Sequence, residues 1–311
     1  MLSAQKKTLT ENWALTTEHL PRRTRSAHPH IMRRILLSLL ALASSTFAGD
    51  FSGETGLQLY SLRDSFKKDV PGSLDKVKAF GIHEVELAGT YDMQPDALLK
   101  ELAARSLQPI SIHFQYGALT KDLAKCVADA KALGLKYVAC PWIPHVPAMF
   151  GMESVEKAAT DFNQWGEAFA KEGITFAYHN HGYEFRPIAE GSDKMFLDVL
   201  MERTNPKFVA FEMDVFWVVH PGADPVKFLN KYPGRWQLMH LKDIAKGART
   251  GVYTGHAPNE ESVALGTGQV QWPAVLAAAS KAGVKHYFIE DEHPDAEKQI
   301  PVTVKYLQTL K

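Results

Sequence analysis

The feature that most constrains the fold is an alternation of short apolar runs with longer amphipathic stretches, repeated eight times after residue 55. A short apolar run bounded by turn residues is typical of a buried parallel strand, and an amphipathic stretch is typical of a helix covering it. Eight such pairs without a linker predict an α/β fold, a single (β/α)8 TIM barrel. The apolar runs are 56–61, 82–87, 109–114, 135–140, 174–179, 208–214, 236–241 and 284–290.

The alternative is a doubly wound open sheet, which would need a glycine-rich phosphate turn after its first strand. The first run instead leads into Ser61-Leu-Arg-Asp64, which contains no glycine. The longest predicted loop, 244–265, follows the seventh run and is expected to act as a lid or a substrate-binding feature. Helices are predicted near 72–80, 95–106, 119–133, 153–172, 193–203, 224–231, 272–281 and 295–309.

The first 48 residues form a predicted leader. Residues 1–31 are polar, and residues 32–48 have two arginines, a short apolar core and small residues, the three-part form of a secretory signal peptide. Met32 is the expected true start, and an unusually long leader is the alternative. Cleavage after Ala48 would leave a barrel domain at 49–311, exported and periplasmic in a bacterial source, with no stable membrane insertion.

The net charge argues against one class of partner, and the cysteine spacing argues against one kind of metal site. The predicted mature chain carries 28 basic and 33 acidic residues, which argues against a nucleic-acid partner. Cys126 and Cys140 lack metal-binding spacing, so both are interpreted as ordinary buried thiols.

Chemically active side chains end several of the predicted strands. All strands of a barrel deliver their carboxyl ends to one face, so these side chains are expected in one basin. Taken singly, each has a structural reading: a buried histidine can belong to the core, and an acidic residue can cap a turn. The candidates are Glu86, His113, the His179–Glu184 segment, Asp214, His240 and Glu290.

Several carboxylates in one basin repel each other unless a cation is present. Mixed oxygen and nitrogen donors suit one divalent metal ion, Mn²⁺, Co²⁺, Zn²⁺ or Mg²⁺, rather than a thiolate site. Asp214, His240 and Glu290 are the predicted ligands. The fifth strand or its loop should supply a fourth. Glu184 is favoured because a second carboxylate would help to neutralise the ion, and His179 is the alternative.

Seven segments carry motifs, one at each of six predicted strands and one before the seventh helix: Gly56–Arg63, Glu84–Gly89, Tyr178–Phe185, Met213–Trp217, His240–Asp243, Leu265–Trp272 and Ile289–Asp291. Together they resemble the xylose-isomerase-like barrels, also called the sugar phosphate isomerase/epimerase superfamily, over about residues 56–310. The resemblance implies a small sugar substrate as partner, and a homo-oligomer, because related barrels often pair.

The resemblance implies a divalent metal held by Glu, Asp, His and Glu, and Asp214, His240 and Glu290 match three of those positions. Two positions depart from the pattern. His179 stands where sugar epimerases typically carry glutamate, and a branch similar to inosose dehydratase has a histidine cluster there with a glutamate further on. Trp217 stands where several ketose epimerases have histidine, and it is expected to stack on a sugar ring.

The expected chemistry begins with a metal that acidifies a carbon-bound proton beside a carbonyl and stabilises the enediolate. Glu184 and Glu290 are predicted to act as ligand and base, and His113 and His181 as further proton-transfer groups. Lys242 is expected to hold a substrate oxygen, because it lies two residues after His240 on one strand. The predicted substrate-binding residues are Glu86, His179, Trp217 and His256.

The main functional reading is a divalent-metal-dependent sugar isomerase or epimerase. The alternative is a lyase or hydratase acting on a keto-sugar, 3-keto-glycoside or inosose, and it is motivated by the histidine-rich fifth strand and the leader. A metal-dependent phosphodiesterase would need more ligands and a basic groove. A non-catalytic exported sugar-binding protein would bind no metal and exchange no proton.

Overall fold

A computed structural model describes residues 54–146 and 149–310. The predicted leader therefore lies outside the described residues. The strands are β1 Thr55–Gln58, β2 Glu84–Leu87, β3 Gln108–His113, β4 Tyr137–Cys140, β5 Thr175–His179, β6 Val209–Asp214, β7 Trp236–Leu241, β8 Asp243–Ile244, β9 Ser262–Val263 and β10 His286–Ile289. All except β8 and β9 run parallel and close into an eight-stranded barrel in the order β1-β10-β7-β6-β5-β4-β3-β2, which confirms the predicted fold class.

Helices surround the barrel and bury one apolar face each against the strands. In the helix Met152–Ala170, for example, the buried residues recur at helical spacing, from Val155 through Phe162 to Phe169. The helices are α1 Arg63–Phe66, α2 Val70–Ala79, α3 Pro95–Ala103, α4 Tyr116–Lys121, α5 Leu123–Ala132, α6 Met152–Ala170, α7 Phe196–Arg203, α8 Phe216–Val219, α9 Pro225–Lys231, α10 Trp272–Ala282 and α11 Ala296–Gln308. Short 3-10 helices are formed by Leu59–Leu62, Tyr183–Phe185 and Asn259–Glu261.

Two predicted segments differ from the structure. The single helix expected at 119–133 is two helices, because Asp122 adopts a non-helical backbone and its side chain accepts from the Lys125 amide at 3.0 Å, capping α5. The loop expected at 244–265 has regular structure at both ends, where β8 pairs antiparallel with β9. The loop tip, residues 245–261, is therefore held at its base by a two-stranded sheet.

The barrel interior changes in character along its axis. A small apolar cluster fills the middle and includes Ile110, Ala177, Leu238 and Phe288. The polar strand ends lie at the carboxyl side of this cluster, so an apolar floor separates them from the opposite end of the barrel. Both cysteines are buried and unpaired, as predicted. Within the described ranges, no helix combines the length and the apolarity needed to cross a membrane.

Candidate active site

The strand ends bring a group of polar side chains into one buried cluster. Six of the candidates converge here, and Glu212, which sequence reasoning missed, joins them from β6. Each side chain in the cluster is at most 9% exposed. The members are Glu86, His113, His179, Glu212, Asp214, His240 and Glu290.

The lower layer of the cluster consists of Glu86, His113 and Glu212. His113 Nε2 lies 2.9 Å from Glu212 Oε2 and 3.2 Å from Glu86 Oε2. The Gln58 side-chain amide donates to the same Glu86 oxygen at 2.8 Å. One imidazole therefore lies between two carboxylates, and an imidazolium there would offset part of their charge.

His240 connects this layer to the one above it. Its Nε2 lies 2.6 Å from Glu86 Oε2, while its Nδ1 lies 3.2 Å from Glu290 Oε2 and 3.9 Å from Asp214 Oδ2. When the proton on Nε2 is donated to Glu86, the Nδ1 lone pair is directed toward two carboxylates. That arrangement is stable only with a cation or a second proton between them.

His179, like His240, lies between a carboxylate of the lower layer and one of the upper layer. Its Nδ1 lies 3.1 Å from Glu212 Oε2, and its Nε2 lies 3.9 Å from Asp214 Oδ2. The rings of His179 and His240 are neighbours, with centroids 4.6 Å apart. Each ring therefore places one nitrogen against a lower carboxylate and the other toward Asp214.

The upper layer fits a divalent metal ion. Asp214, His240 and Glu290 each offer a donor atom within 4.8 Å of the others, and His179 Nε2 approaches the same Asp214 oxygen. That oxygen, Oδ2, is buried and finds no hydrogen-bond partner among residues 54–146 and 149–310. An unsatisfied buried carboxylate oxygen facing imidazole nitrogens is what a site built for a cation presents.

Charge distribution in the lower layer agrees with the geometry. Burial favours neutral His113, but Glu86 and Glu212 outweigh it and raise the pKa of His113 to about 10. Burial opposes ionisation of Glu212, yet the charge of His240 and hydrogen bonds from His113 and His179 hold its pKa well below the usual value. The lower layer therefore combines a positively charged His113 with a negatively charged Glu212.

In the upper layer, burial acts against the charged forms of the side chains. Burial raises the pKa of Asp214 to about 8 although Lys242 acts in the opposite direction, and burial lowers the pKa of His179 to about 4. Burial also disfavours charged His240, but Glu212 and Glu290 outweigh it and raise the pKa of His240 well above its usual value. A metal ion entering this layer would therefore compete with a proton on His240.

Lys242 supplies a fixed positive charge beside the upper layer. Its ammonium donates to Glu292 at 2.7 Å and Glu290 at 3.2 Å, and it lies 3.8 Å from Asp214. The side chain is buried. The described cavity lining includes Glu290 and Glu292 but not Lys242. The geometry thus gives the ammonium to these carboxylates, and its expected contact with a substrate oxygen stays a prediction.

Glu184 does not lie among the donor atoms, contrary to the expected ligand set. Gly182 has φ 96° and turns the chain back after His181. The buried Glu184 carboxylate consequently accepts from the His181 amide at 3.0 Å and from the Tyr178 hydroxyl. Its oxygens are satisfied locally, and the fifth-strand position in the upper layer is occupied by His179, the alternative.

A cavity of about 370 Å³ opens above the cluster. His113, His179, His181, Glu290 and Glu292 line its polar side. The Nδ1 atom of His181 is buried and has no hydrogen-bond partner in the described part of the chain. The cavity therefore presents proton-transfer groups beside the candidate metal ligands.

The opposite side of the cavity is aromatic. The His181 ring stacks on Trp217 at 5.2 Å between centroids and meets the edge of Trp142 at 5.1 Å. Trp142 was not predicted, because it lies in an irregular segment after β4 and no spacing rule marks it. Aromatic rings beside polar groups are a common way to hold the faces and the hydroxyls of a sugar.

The loop tip 245–261 contributes to the same wall. His256 lies 5.4 Å from Trp142 between ring centroids, and Gly255 packs against Trp142 and Tyr183. A Cβ on Gly255 would stand 2.9 Å from both rings, and its φ of 70° already favours glycine. His256 therefore lines the cavity from a loop that fits tightly against an aromatic pair, and its substrate-binding role stays a prediction.

A family match accompanies this geometry. Residues 74–310 match the family described as xylose isomerase-like TIM barrel. The chain belongs to the xylose isomerase-like TIM barrel family. This finding confirms the resemblance seen in the strand motifs, and the barrel topology agrees with it.

Individual relatives of the family are more distant. An inosose dehydratase from Mesomycoplasma hyopneumoniae is 24% identical over 279 residues, covering 76% of this chain and 87% of the enzyme. A sugar phosphate isomerase/epimerase structure from Parabacteroides distasonis is 27% identical with a TM-score of 0.67, covering 82% of this chain and 98% of that one. The IOLI protein, solved with a bound zinc atom, shares the fold at 14% identity and a TM-score of 0.63, covering 83% of this chain and 96% of that one.

Proposed function

We propose that the protein is a divalent-metal-dependent lyase that removes water from a keto-sugar or an inosose. The observation that carries the proposal is the upper layer itself, where Asp214 Oδ2 lacks a partner and faces imidazole nitrogens of His179 and His240. The similarity to inosose dehydratase supports a lyase over the isomerase or epimerase that the sequence first suggests.

His179, Asp214, His240 and Glu290 would hold the ion. A divalent ion bound there supplies Lewis-acid polarisation of a substrate oxygen. The other groups act from the protein. Lys242 keeps Glu290 and Glu292 oriented. Fixed groups of this kind need no reorganisation during the reaction.

The reaction breaks a C–H bond beside the ketone and a C–O bond one carbon further on. His181 takes the proton, because its ring lines the cavity beside the candidate metal ligands. The same imidazole returns the proton to the departing hydroxyl, which leaves as water. The electron pair of the broken C–H bond becomes the new carbon–carbon double bond, so the products are one enone and one water.

The test is incubation of the metal-loaded protein with an inosose, followed by mass spectrometry for loss of one water and by absorbance of the enone. His181→Asn should abolish elimination, because asparagine cannot accept the proton. His256→Asn is the matched control, since His256 lines the same cavity from an exposed loop position, and it should retain turnover with altered KM. Equal turnover in His181→Asn and wild type would contradict the assigned role.

Isomerisation or epimerisation is the second candidate, because it shares the first proton transfer and the similarity to a sugar phosphate isomerase/epimerase favours it. The two reactions diverge after that proton transfer. Deuterium incorporation from D₂O into an unchanged keto-sugar skeleton, without loss of water, would support isomerisation. Neither product nor exchange with metal bound would favour the non-catalytic sugar-binding protein.

We also propose that the protein is exported, because residues 32–48 have the form of a signal peptide. Expression in a bacterial host with separation of periplasm from cytoplasm tests this proposal. The mature chain should be recovered from the periplasm with Gly49 at its N-terminus. Recovery of an uncleaved chain from the cytoplasm would argue against export.

A further inference from the structure

The lower layer of the cluster has no task in the proposed reaction, although it buries two carboxylates and an imidazole in the barrel. Glu86 and Glu212 are completely buried, and burial of two carboxylates is costly unless they bind specific partners. Their partners are the three histidines of the cluster and, for Glu86, the Gln58 side-chain amide. The arrangement is therefore specific, and its contacts indicate which nitrogen of each ring remains available.

We propose that Glu86, Glu212 and His113 form an anchoring layer that fixes the tautomers of His179 and His240 for metal binding. Glu86 accepts from His240 Nε2 at 2.6 Å, which leaves Nδ1 as the lone-pair nitrogen. Glu212 accepts from His179 Nδ1 at 3.1 Å, which leaves Nε2. A ligand histidine that donates its other N–H to a carboxylate is better oriented and more basic toward the metal. This inference rests on the metal of the proposed function.

His113 has a separate task in this layer. It lies within 3.2 Å of both carboxylates and donates to Glu212 at 2.9 Å. Its Nε2 lies between the two carboxylates, where its N–H reduces their mutual repulsion. His113 is thus a positioning residue that keeps Glu86 and Glu212 able to accept from the two ligand rings.

A rival position for the ion lies within the lower layer itself. His113, His179, Glu212 and His240 also bring one donor atom each within 4.8 Å of the others. Ligand atoms around a tetrahedral ion with bonds of about 2.1 Å stand about 3.4 Å apart. The pairs of the lower group lie at 2.9, 3.1 and 3.3 Å, and those of the upper group lie at 3.2 and 3.9 Å, so the spacing suits either position. Glu212 Oε2 in the lower group already accepts from His113 and His179, whereas Asp214 Oδ2 in the upper group has no hydrogen-bond partner among the described residues, which favours the upper position.

The experiment measures metal affinity rather than turnover. Zn²⁺ affinity of the full chain is determined by competition with a chromophoric chelator, and Co²⁺ is added separately for its visible spectrum. Glu212→Gln and Glu86→Gln should each weaken Zn²⁺ binding by about 10- to 100-fold and alter the Co²⁺ spectrum. Thermal unfolding of the metal-free proteins shows whether each variant is folded.

Glu84→Gln is the matched control. Glu84 is also a buried glutamate of β2 and also pairs with a histidine Nδ1, that of His286 at 3.0 Å. His286 is at the start of β10, away from the metal ligands, so Zn²⁺ affinity should remain at the wild-type value. A loss of affinity in all three variants would mean a general effect on barrel stability and would overturn the anchoring role.

Two further variants separate the upper from the lower position. Asp214→Asn should remove tight Zn²⁺ binding, whereas His113→Gln should only weaken it. The reverse pattern would place the ion in the lower layer and refute the anchoring layer. Wild-type affinity in folded Glu212→Gln would refute it as well. A wild type that binds Zn²⁺ but eliminates no water would refute the proposed reaction and leave this inference intact.

Discussion

Replacing Glu184 by glutamine tests whether this carboxylate is a metal ligand or a buried structural group. The side chain is fully buried and its oxygens bind the His181 amide and the Tyr178 hydroxyl. Burial raises its pKa to about 7 from the ordinary value of 4.5, although those hydrogen bonds act in the opposite direction. Glutamine has the same shape and can keep both contacts, but it carries no charge at any pH.

The direction in which stability changes with pH depends on whether Glu184 binds more protons in the folded or in the unfolded state. With a pKa raised in the folded state, Glu184 binds more protons folded than unfolded between these two values, so its contribution to stability falls as pH rises. The contribution of Glu184 to the free energy of unfolding of wild type falls by about 2.5 kcal/mol between pH 5 and pH 8. The free energy of unfolding of Glu184→Gln, relative to wild type, should therefore rise by about that amount over the same range.

The assay is urea unfolding of both metal-free proteins at several pH values, analysed as the difference between them so that other titrating groups cancel. Tyr178→Phe provides an internal check, because loss of its hydrogen bond should move the wild-type transition to higher pH. Zn²⁺ affinity of Glu184→Gln should equal that of wild type. A difference in stability that does not change with pH, or a loss of Zn²⁺ binding, would refute the reasoning.

Three other perturbations have defined outcomes. Trp142→Ala should raise KM about 3- to 10-fold with little change in kcat, because a stacking surface is worth about 0.5–1.5 kcal/mol; steady-state kinetics on the inosose measure this. Gly166→Ala should destabilise by about 1–3 kcal/mol in urea, since its Cβ would lie 2.6 Å from the Phe208 carbonyl oxygen. Asp198→Asn should cost about 1–3 kcal/mol at pH 7 by removing the charge that binds Lys231 at 2.8 Å. Burial opposes the lowered pKa of Asp198, but Lys231 outweighs it, so this difference should shrink as acid protonates the wild-type carboxyl.

Much of the fold could be predicted from local patterns. Strand β7 was expected at the residues where it forms, and the other barrel strands differ by a few residues at their ends. The prediction was wrong at two places, one decided by a single side chain and one by a contact between distant segments. Asp122 ended a helix that apolar periodicity alone would continue, and β8 and β9 formed because two distant segments met. Neither event has a signal in the period of the hydrophobic residues.

The membership of the site was also largely predictable, because strand order in a barrel decides which residues share a face. Glu212 could have been found by the same reasoning, since it lies two residues before Asp214 on one strand and therefore points to the same side. Trp142 and Glu292 lie in irregular segments, where no periodicity relates sequence position to direction. Their presence at the cavity is a product of loop packing.

The sequence by itself determined the barrel and the set of strand ends that meet at its carboxyl face, because both depend on local periodicity and on the geometry of parallel strands. Only the tertiary structure decided which atoms face each other. Gly182 turns Glu184 away from the cluster, and His179 takes its place in the upper layer. The two nitrogens of each imidazole are assigned by carboxylates from other strands, which lie 33 and 154 positions away along the chain. Contacts of that range depend on the closed barrel, because no local segment contains both partners.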